Sequence, residues 1–415
     1  MALSAVRPDS PLKATKHIAG IEGTRAIAAL SILVYHAWLA AGPSENPVSA
    51  GWLSEYVLPN LAVGVTLFFT LSGFLLYRRF AQGILRGEGR PSFRPYFVNR
   101  ALRILPAYWV ALALCGFVLQ TVRVDGGVGG LQDDWTLAPL SAAFLHFFTP
   151  ATMLGGIGPA WSLVVEVMFY LTLPLLVLVA VRLSRRAKTR VQRRYAALAP
   201  AAILLLIGLS GRVVAFALVR DNSMPSGWNQ DWQTVVERGF WGQADLFALG
   251  LVVAVISVEV ADGALELPRQ WRAWAVTAAA VIAVMAAVHL PNEDVQRGQL
   301  SHFAYSPVMA VACSLLLAAV VVCRPTETQG RLVQALSWRP LFALGLISYS
   351  LFLWHLPLIY WMRFHDLTVA GRMGFVANVM VITIVSVAIA TLSYLLVERP
   401  ALAWRRRTQQ WTALR

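Results

Sequence analysis

The sequence predicts an all-α polytopic membrane protein, a bundle of about ten transmembrane helices with both termini in the cytoplasm. Of its 415 residues, 58% are hydrophobic and only 13% are charged, and the mean hydropathy is +0.61. An ordinary soluble protein has about 25% charged and roughly 45–50% apolar residues. Apolar runs of about 20 residues, the length that crosses a hydrocarbon core of about 30 Å, recur along nearly the whole chain. No soluble core would bury so much apolar surface.

Ten spans follow from these runs, with predicted bounds 18–41, 57–77, 104–122, 158–181, 195–219, 239–258, 271–290, 303–323, 341–362 and 374–397. Loops that stay in the cytoplasm are enriched in Lys and Arg. With a cytoplasmic N-terminus, 27 of the 35 Lys and Arg residues fall in cytoplasmic segments and six in outside segments. An error in the span count would assign every later loop to the wrong side of the membrane and remove this asymmetry. We therefore predict a cytoplasmic tail (1–17), a ten-span domain (18–400) and a basic cytoplasmic tail (401–415).

The net charge of +14 would suggest a nucleic-acid partner on a soluble chain. The positive-inside distribution accounts for that charge here, so we expect a lipid bilayer and no nucleic acid as partner. The three cysteines lie in or at the ends of apolar spans, without the spacing of a disulfide framework or a metal site. We expect no metal and no permanently bound cofactor. The Ala- and Arg-rich, Lys-poor composition indicates a high-GC bacterium and hence a multi-pass protein of its cytoplasmic membrane.

Two segments between spans three and four are predicted to lie outside the membrane core. The loop 124–136 contains four glycines and is expected to be flexible. The apolar segment 137–150 is too short to span, so we expect it in the outer interface or re-entrant, with His146 on the surface.

Three ionisable residues are predicted in the outer half of the bilayer: His36 in span one, Glu166 in span four and His355 in span nine. Charged groups inside spans are costly, so each is a candidate functional residue. A carboxylate beside an imidazole fixes its tautomer and lets the other ring nitrogen take a proton from a hydroxyl. A His–Glu contact that only holds helices together is the alternative interpretation.

The cytoplasmic side carries a different set of candidates. Arg25 shares one face of span one with His36, about 16 Å away. Ser72 lies near the inner part of span two, and Arg100 and Arg103 lie one turn apart at the predicted start of span three. Paired guanidinium groups at a helix start favour a phosphate, although plain anchoring at the membrane surface is the alternative. A polyanion site inside and a base outside are what acyl transfer from a cytoplasmic thioester to an outside hydroxyl requires.

The sequence resembles the acyltransferase family 3 membrane proteins, which O-acylate glycans, lipids and antibiotics. The resemblance runs in order from about residue 17 to 400. Its segments are IEGTRAIAALSILVYHA, LFFTLSGFLLYRRF, NRALRILPAYW, PAWSLVVEVMFYLTLPLL and ISYSLFLWHLPLI, followed by SYLLVERP.

The resemblance implies an acyl-CoA donor, usually acetyl-CoA, that enters from the cytoplasm. It makes His36 the catalytic base or a transient acyl carrier, and Glu166 its partner or a second essential residue. His355 becomes a further catalytic or acceptor-side candidate. The expected donor-binding residues are Arg25, Ser72, Arg100 and Arg103, and the motif residues with a structural role are Trp161, Ser162 and Tyr349. Direct attack on the thioester and an acyl-His36 intermediate both remain open.

The expected acceptor is a glycan, a glycolipid such as a trehalose-type lipid, or a macrolide-like secondary metabolite. Trp228, Trp232 and Trp241 either stack on sugar rings or belong to an interfacial aromatic belt. Some family members carry a fused extracytoplasmic hydrolase-like domain. We see no such segment in this sequence and expect the chain to finish the transfer itself or to depend on an envelope-biosynthesis partner.

Three other functions compete with the membrane O-acyltransferase. A proton-coupled transporter or exporter would use His36 and Glu166 as a proton relay and need no CoA thioester. A lipid-linked glycosyltransferase would need paired acids in the first outer loop, which holds only Glu45 and Glu55. A structural envelope protein would have no use for intramembrane His and Glu residues.

Overall fold

The computed structural model describes residues 18–41, 51–89, 91–124, 127–219, 228–290, 299–324 and 330–404. The predicted N-terminal tail, most of the C-terminal tail and Glu45 lie outside these residues. The helices, in chain order, are α1 (Ile21–Ala40), α2 (Gly64–Arg86), α3 (Arg94–Ala113), α4 (Leu137–Ala142), α5 (Ala160–Arg185), α6 (Arg190–Ala217), α7 (Trp232–Arg238), α8 (Phe240–Ala261), α9 (Trp271–His289), α10 (Gln299–Val321), α11 (Arg331–Leu336), α12 (Arg339–Leu346), α13 (Ser348–Phe364) and α14 (Gly371–Ser393).

The described residues confirm an all-α membrane bundle of about ten spans. Nine helical segments in this part of the chain are long and apolar enough to cross a membrane, and the bent pair α12–α13 makes a tenth. Single π-helical turns extend three of the segments, at Leu53–Val57, Leu114–Val118 and Tyr394–Glu398.

The predicted span 341–362 is wrong in one respect, because it is not a continuous helix. α12 and α13 meet at Ile347 with a bend of 71°. At Gly345, just before the bend, a Cβ atom would lie 2.1–2.7 Å from backbone atoms of Glu22, with the carbonyl oxygen the nearest at 2.1 Å. The backbones of α12 and α1 thus pack in direct contact. The bend puts the first turn of α13, which starts at Ser348, inside the bundle.

Span three also begins earlier than predicted. α3 starts at Arg94, with a proline in its first turn, so Arg100 and Arg103 lie in its second and third turns. The prediction that they sit at a helix start is wrong. Because the field of a helix terminus falls off within the first turn, the N-terminus of α3 adds little to their attraction for an anion.

Close backbone packing of α2 against α8 orients the middle of α2. A Cβ atom on Gly73 would lie 2.4 Å from the carbonyl oxygen of Phe247, and one on Gly250 would lie 2.1 Å from that of Thr70. Small residues allow such approach between transmembrane helices. Since Gly73 faces α8, the adjacent Ser72 turns away from α8 and toward α5.

The segment between α3 and α5 is folded onto the bundle. As expected, 137–150 does not span: it forms α4 and a short turn, His146–Phe148. The expectation of a surface His146 is wrong, since the residue is 1% exposed. Tyr108 on α3 donates a hydrogen bond to the carbonyl oxygen of Ser141 and ties the segment down. Burial lowers the pKa of His146 to about 4 and keeps it neutral.

The loop expected to be flexible contains a short β-hairpin. Strands β1 (Val122–Val124) and β2 (Gly127–Gly129) pair antiparallel, and Arg123 in β1 also bridges to Gly156 just before α5. The hairpin therefore fixes the backbone of Arg123 beside the start of α5.

Candidate functional site

All three predicted donor-binding arginines line one cavity of about 90 Å³ between α1, α2, α3, α5 and α13. We call this the arginine cavity. Its polar lining consists of Arg25, Ser72, Arg100, Arg103, Ser162, Glu166, Tyr170, Ser348 and Tyr349. The remaining lining is apolar, so a charged ligand here would be held by these side chains in a weakly screened setting.

Arg25 joins α1 to the start of α13. Its Nε and Nη2 atoms donate hydrogen bonds to the Oγ atom of Ser348, at 3.2 and 3.0 Å. Ser348 is fully buried and is the first residue of α13. The helix N-terminus at this cavity is therefore that of α13, and its positive end adds to the attraction for an anion.

Arg100 and Arg103 line the same cavity from α3. The guanidinium of Arg100 lies over the ring of Tyr170, 5.8 Å from its centroid. The Nη2 atom of Arg103 is buried and has no hydrogen-bond partner among the described residues. A buried donor left without an acceptor is costly, so a ligand that supplies one would be stabilised here.

Glu166 belongs to the arginine cavity and is not paired with His36. Its carboxylate accepts a hydrogen bond from Ser72, with Oγ and Oε1 2.5 Å apart, and also hydrogen-bonds with Tyr170. Residues at the same depth in the membrane can face different ways around their helices. Glu166 lies five residues after Trp161, which turns its side chain about 140° around α5 from that of Trp161. Trp161 faces the cavities beside His36, and Glu166 faces the arginines.

His36 meets His355 instead. The Nδ1 atom of His36 lies 3.2 Å from the Nε2 atom of His355 and 2.9 Å from the carbonyl oxygen of Ile32. The Nδ1 atom of His355 lies 2.8 Å from the carbonyl oxygen of Phe352. Carbonyl oxygens only accept, so in neutral rings both Nδ1 atoms carry the hydrogen. His355 Nε2 then accepts from His36 Nδ1, which makes His36 Nε2 the ring nitrogen without a hydrogen.

His36 lines a second and larger cavity of about 420 Å³, which we call the His36 cavity. A smaller one of about 70 Å³ adjoins it and shares His36, Tyr35, Trp161 and Trp228. Val65 lines both the small cavity and the arginine cavity. A chain that reached from the arginines to His36 would therefore pass Val65.

Two aromatic contacts separate the arginine cavity from the histidine pair. The rings of Phe68 and Phe352, which line the arginine cavity, lie edge to face with centroids 6.0 Å apart. Phe352 also packs 5.8 Å from His355. An apolar layer of this kind limits passage of water between the two cavities.

The three motif residues hold the elements around these cavities. Trp161 packs edge to face against Phe69 and Trp228. Ser162 donates a hydrogen bond to the carbonyl oxygen of Pro159 at the start of α5. Tyr349 donates to the carbonyl oxygen of Ile104 and joins α13 to α3.

The three tryptophans expected at the outer side lie in two different environments. Trp228 lines the His36 cavity, whereas Trp232 and Trp241 are more than half exposed, as in an interfacial belt. The guanidinium of Arg238 lies 5.0 Å from the Trp228 ring.

Sequence reasoning missed several buried polar contacts among the described residues. Ser350 donates to Glu398 with Oγ and Oε1 2.5 Å apart, and the other carboxylate oxygen of Glu398 has no partner in the described part of the chain. Glu237 contacts His302 at 3.0 Å, joining α7 to α10. The predicted spans 239–258 and 303–323 leave Glu237 and His302 just outside, and no local signal shows that α7 carries Glu237 into the bundle.

These features define a polytopic membrane protein with an arginine-lined cavity on one side of a histidine pair and a larger cavity on the other. The family model of an acyltransferase domain matches residues 18–398. The chain therefore belongs to the family 3 acyltransferases.

Several named proteins are similar to this chain at low identity. YrhL of Bacillus subtilis, provisionally named a peptidoglycan O-acetyltransferase, is 25% identical over 93% of this chain and 55% of its own length. Nodulation protein 10 of Rhizobium leguminosarum is 26% identical over 92% of both chains. The O-acetyltransferase OatA of Staphylococcus aureus is 23% identical over 93% of this chain and 57% of its own length. The chain thus spans just over half the length of YrhL and OatA. No solved structure matches it.

Proposed function

We propose that this protein is an acyl-CoA-dependent O-acyltransferase of the bacterial cytoplasmic membrane. It moves an acyl group, acetyl by the names of its relatives, to a hydroxyl of a glycan, glycolipid or secondary metabolite outside the cytoplasm. The observation that carries the proposal is the position of His36 Nε2, which the hydrogen bonds of Nδ1 leave as the unprotonated nitrogen between an anion site and a larger cavity.

The arginine cavity is assigned to the donor. CoA carries several phosphates, and Arg25, Arg100 and Arg103 with the N-terminus of α13 form the matching cationic site. The flexible pantetheine arm then has to cover the roughly 16 Å that separate Arg25 from His36 along α1. Phe68, Val65 and Phe352 line that route and exclude water from the thioester.

His36 performs the chemistry in one of two ways. As a base, Nε2 takes the proton of the acceptor hydroxyl while its oxygen bonds to the acyl carbon. The carbon–sulfur bond breaks, and the CoA thiolate takes the proton. As a nucleophile, Nε2 first bonds to the acyl carbon while the carbon–sulfur bond breaks and CoA leaves as the thiolate. The hydroxyl oxygen then attacks the acyl carbon, the carbon–nitrogen bond breaks, and the freed Nε2 takes the hydroxyl proton, which balances the charge of the released thiolate. His355 holds the tautomer in both cases and is a positioning residue.

Glu166 is assigned to the donor half of the reaction. It lies among the arginines and accepts a hydrogen bond from Ser72, so it orients Ser72 and balances the charge of the arginines before the donor binds. We expect Glu166→Gln to change the apparent affinity for acyl-CoA more than the response to an acceptor.

The test uses purified protein in detergent with radiolabelled acetyl-CoA, comparing wild type with His36→Ala. We expect saturable acetyl-CoA binding by both proteins and CoA release by the wild type alone. The control is Arg185→Ala, an exposed change at the end of α5, which is expected to bind and turn over normally. A folded wild-type protein that binds no acetyl-CoA would overturn the proposal and favour the transporter hypothesis.

A further inference from the structure

The His36 cavity is positively charged on the side away from the arginine cavity. Arg123 and Arg363 both line it, and the described residues around it include no Asp or Glu. Arg238 lines the adjoining small cavity. These arginines belong to the outer side by the positive-inside assignment, where basic residues are scarce, so membrane anchoring does not account for them.

Two backbone hydrogen bonds to Gly156 hold Arg123 in place. Its N–H donates to the carbonyl oxygen of Gly156 at 2.9 Å, and the N–H of Gly156 donates back at 3.0 Å. Its Nε atom is buried and has no hydrogen-bond partner in the described structure. Asp134 lines a small neighbouring cavity with Arg123, but its Oδ1 atom accepts both the N–H and the hydroxyl of Thr136. A preorganised guanidinium with an unsatisfied donor is a site for an oxyanion.

Arg363 lies on the same helix as His355, so its distance from the histidine pair follows from the helical rise. It follows His355 by eight residues on α13, which is about 12 Å along the helix axis. Tyr360, one turn before Arg363, lines the same cavity. Arg363 and the histidine pair thus lie at different levels of one cavity, with room for a sugar between them.

The cavity between these points has aromatic walls. Trp161 and Trp228 both line it, with their rings 5.3 Å apart and nearly perpendicular. Tyr35 and Tyr360 add hydroxyl-bearing rings. Its volume of about 420 Å³ lies within the usual range for ligand sites, and faces of this kind pack against sugar rings.

We propose that the acceptor is a saccharide that bears an acidic group, a carboxylate or a phosphate, and that Arg123 and Arg363 bind that group. The ring lies against Trp161 and Trp228, and a hydroxyl is placed at His36 Nε2. This inference rests on the proposed function for its reaction, but the binding of an anionic sugar does not require the reaction to occur.

The experiment measures binding of three small probes to the purified protein at pH 8 by saturation-transfer NMR. The probes are methyl β-glucuronide, glucose 6-phosphate and methyl β-glucoside, which compare a carboxylate and a phosphate with a neutral control. We expect one or both anionic probes to bind at least about tenfold more tightly than the glucoside. The better of the two identifies the acidic group.

Variants test the two arginines. Arg123→Gln and Arg363→Gln are each expected to lose roughly tenfold of the affinity for the anionic probe and little for the glucoside, with Arg123→Lys intermediate. Arg372→Gln removes a charge from the exposed start of α14, outside the cavity, and is expected to leave every value unchanged.

Two outcomes would overturn the inference: equal affinity of the wild type for all three probes, or an anion preference that Arg372→Gln removes as fully as Arg123→Gln. Acetyl-CoA binding and CoA release are measured on the same samples. Cleavage of acetyl-CoA without anion preference contradicts only this inference. Anion preference without acetyl-CoA binding contradicts only the proposed function.

Discussion

The Nε2 atom of His355 lies 3.2 Å from the Nδ1 atom of His36, across the contact between α13 and α1. Each ring also has its Nδ1 atom near a backbone carbonyl oxygen of its own helix. Under the proposed function, His355 takes the place of the carboxylate in a His–carboxylate pair, but as a neutral acceptor. A neutral partner orients the base without adding a charge inside the membrane, where an isolated charge is costly.

Replacing His355 tests this role. His355→Leu removes the acceptor, and we expect kcat to fall by about 10²-fold or more because His36 loses its fixed tautomer. His355→Gln places an amide oxygen near the former Nε2 atom and should recover part of the rate. Steady-state kinetics with acetyl-CoA should show an unchanged KM in both variants. A rise in KM with a normal kcat would instead place His355 in the donor site.

The donor assignment predicts weaker acetyl-CoA binding when an arginine of the cavity is removed. Arg25→Ala and Arg103→Ala each delete charge-assisted hydrogen bonds worth about 1.5–3 kcal/mol, so we expect a roughly tenfold to hundredfold higher Kd. Equilibrium binding of labelled acetyl-CoA measures this directly, with Arg185→Ala as the exposed control. Normal affinity in Arg103→Ala would remove that residue from the donor site.

Val65 is predicted to control passage between the two cavities that it lines. Val65→Phe should leave acetyl-CoA binding intact and lower CoA release by about tenfold or more, because added bulk at a packed position is poorly accommodated. Val65→Ala should widen the route and improve use of butyryl-CoA relative to acetyl-CoA. The measurement is CoA release with each donor, and an unchanged donor preference in both variants would show that the acyl group takes another route.

The buried ion pair between Arg212 on α6 and Asp245 on α8 predicts a large effect on stability. The two groups are 3.2 Å apart and almost fully buried. Arg212→Met leaves an unpaired carboxylate and should cost about 3–5 kcal/mol, whereas the double variant Arg212→Met, Asp245→Leu should recover most of it. Thermal unfolding in detergent reports the order of Tm values. A double variant less stable than the single variant would contradict this account.

Asp262 predicts a pH dependence at the end of the bundle where α2 and α8 end. Arg86 and Arg190 each donate to it at 2.9 Å, and the hydrogen bond from Arg86 does most to lower the pKa of Asp262. A lowered carboxyl pKa stabilises the fold above the unfolded value of about 3.9, and this contribution is lost as pH falls through the folded value. Asp262→Asn should therefore lower the free energy of unfolding at pH 7 by at most about 1 kcal/mol, as for a partly exposed pair, and lower Tm accordingly. The difference from wild type should shrink as pH falls through the lowered pKa of Asp262, and a difference that does not change with pH would refute the assignment.

Local sequence pattern was enough to predict the spans. Hydropathy predicted helices at all ten positions because each must be apolar over about 20 residues wherever it packs. The spacing of Arg25 and His36 was readable for a similar reason, since both lie on one helix and the helical rise fixes their separation.

Which side chains contact one another could not be predicted from hydropathy or helical spacing. Glu166 lies at the predicted position in its helix but contacts Ser72, because the rotation of α5 about its axis points it toward α2 and α3. The break at Ile347 and the burial of His146 also depend on neighbours, through the contact of Gly345 with α1 and the anchoring of Ser141 by Tyr108.

The sequence by itself thus determined the membrane fold, the family and the set of candidate residues. Only the tertiary structure decided that His36 has His355 as its neighbour, that Glu166 lies with the arginines, and that Arg123 and Arg363 share a cavity with His36. The physical reason is that hydropathy and helical period are properties of one segment. Contact between segments depends on the rotation and close packing of helices that are hundreds of residues apart in the chain.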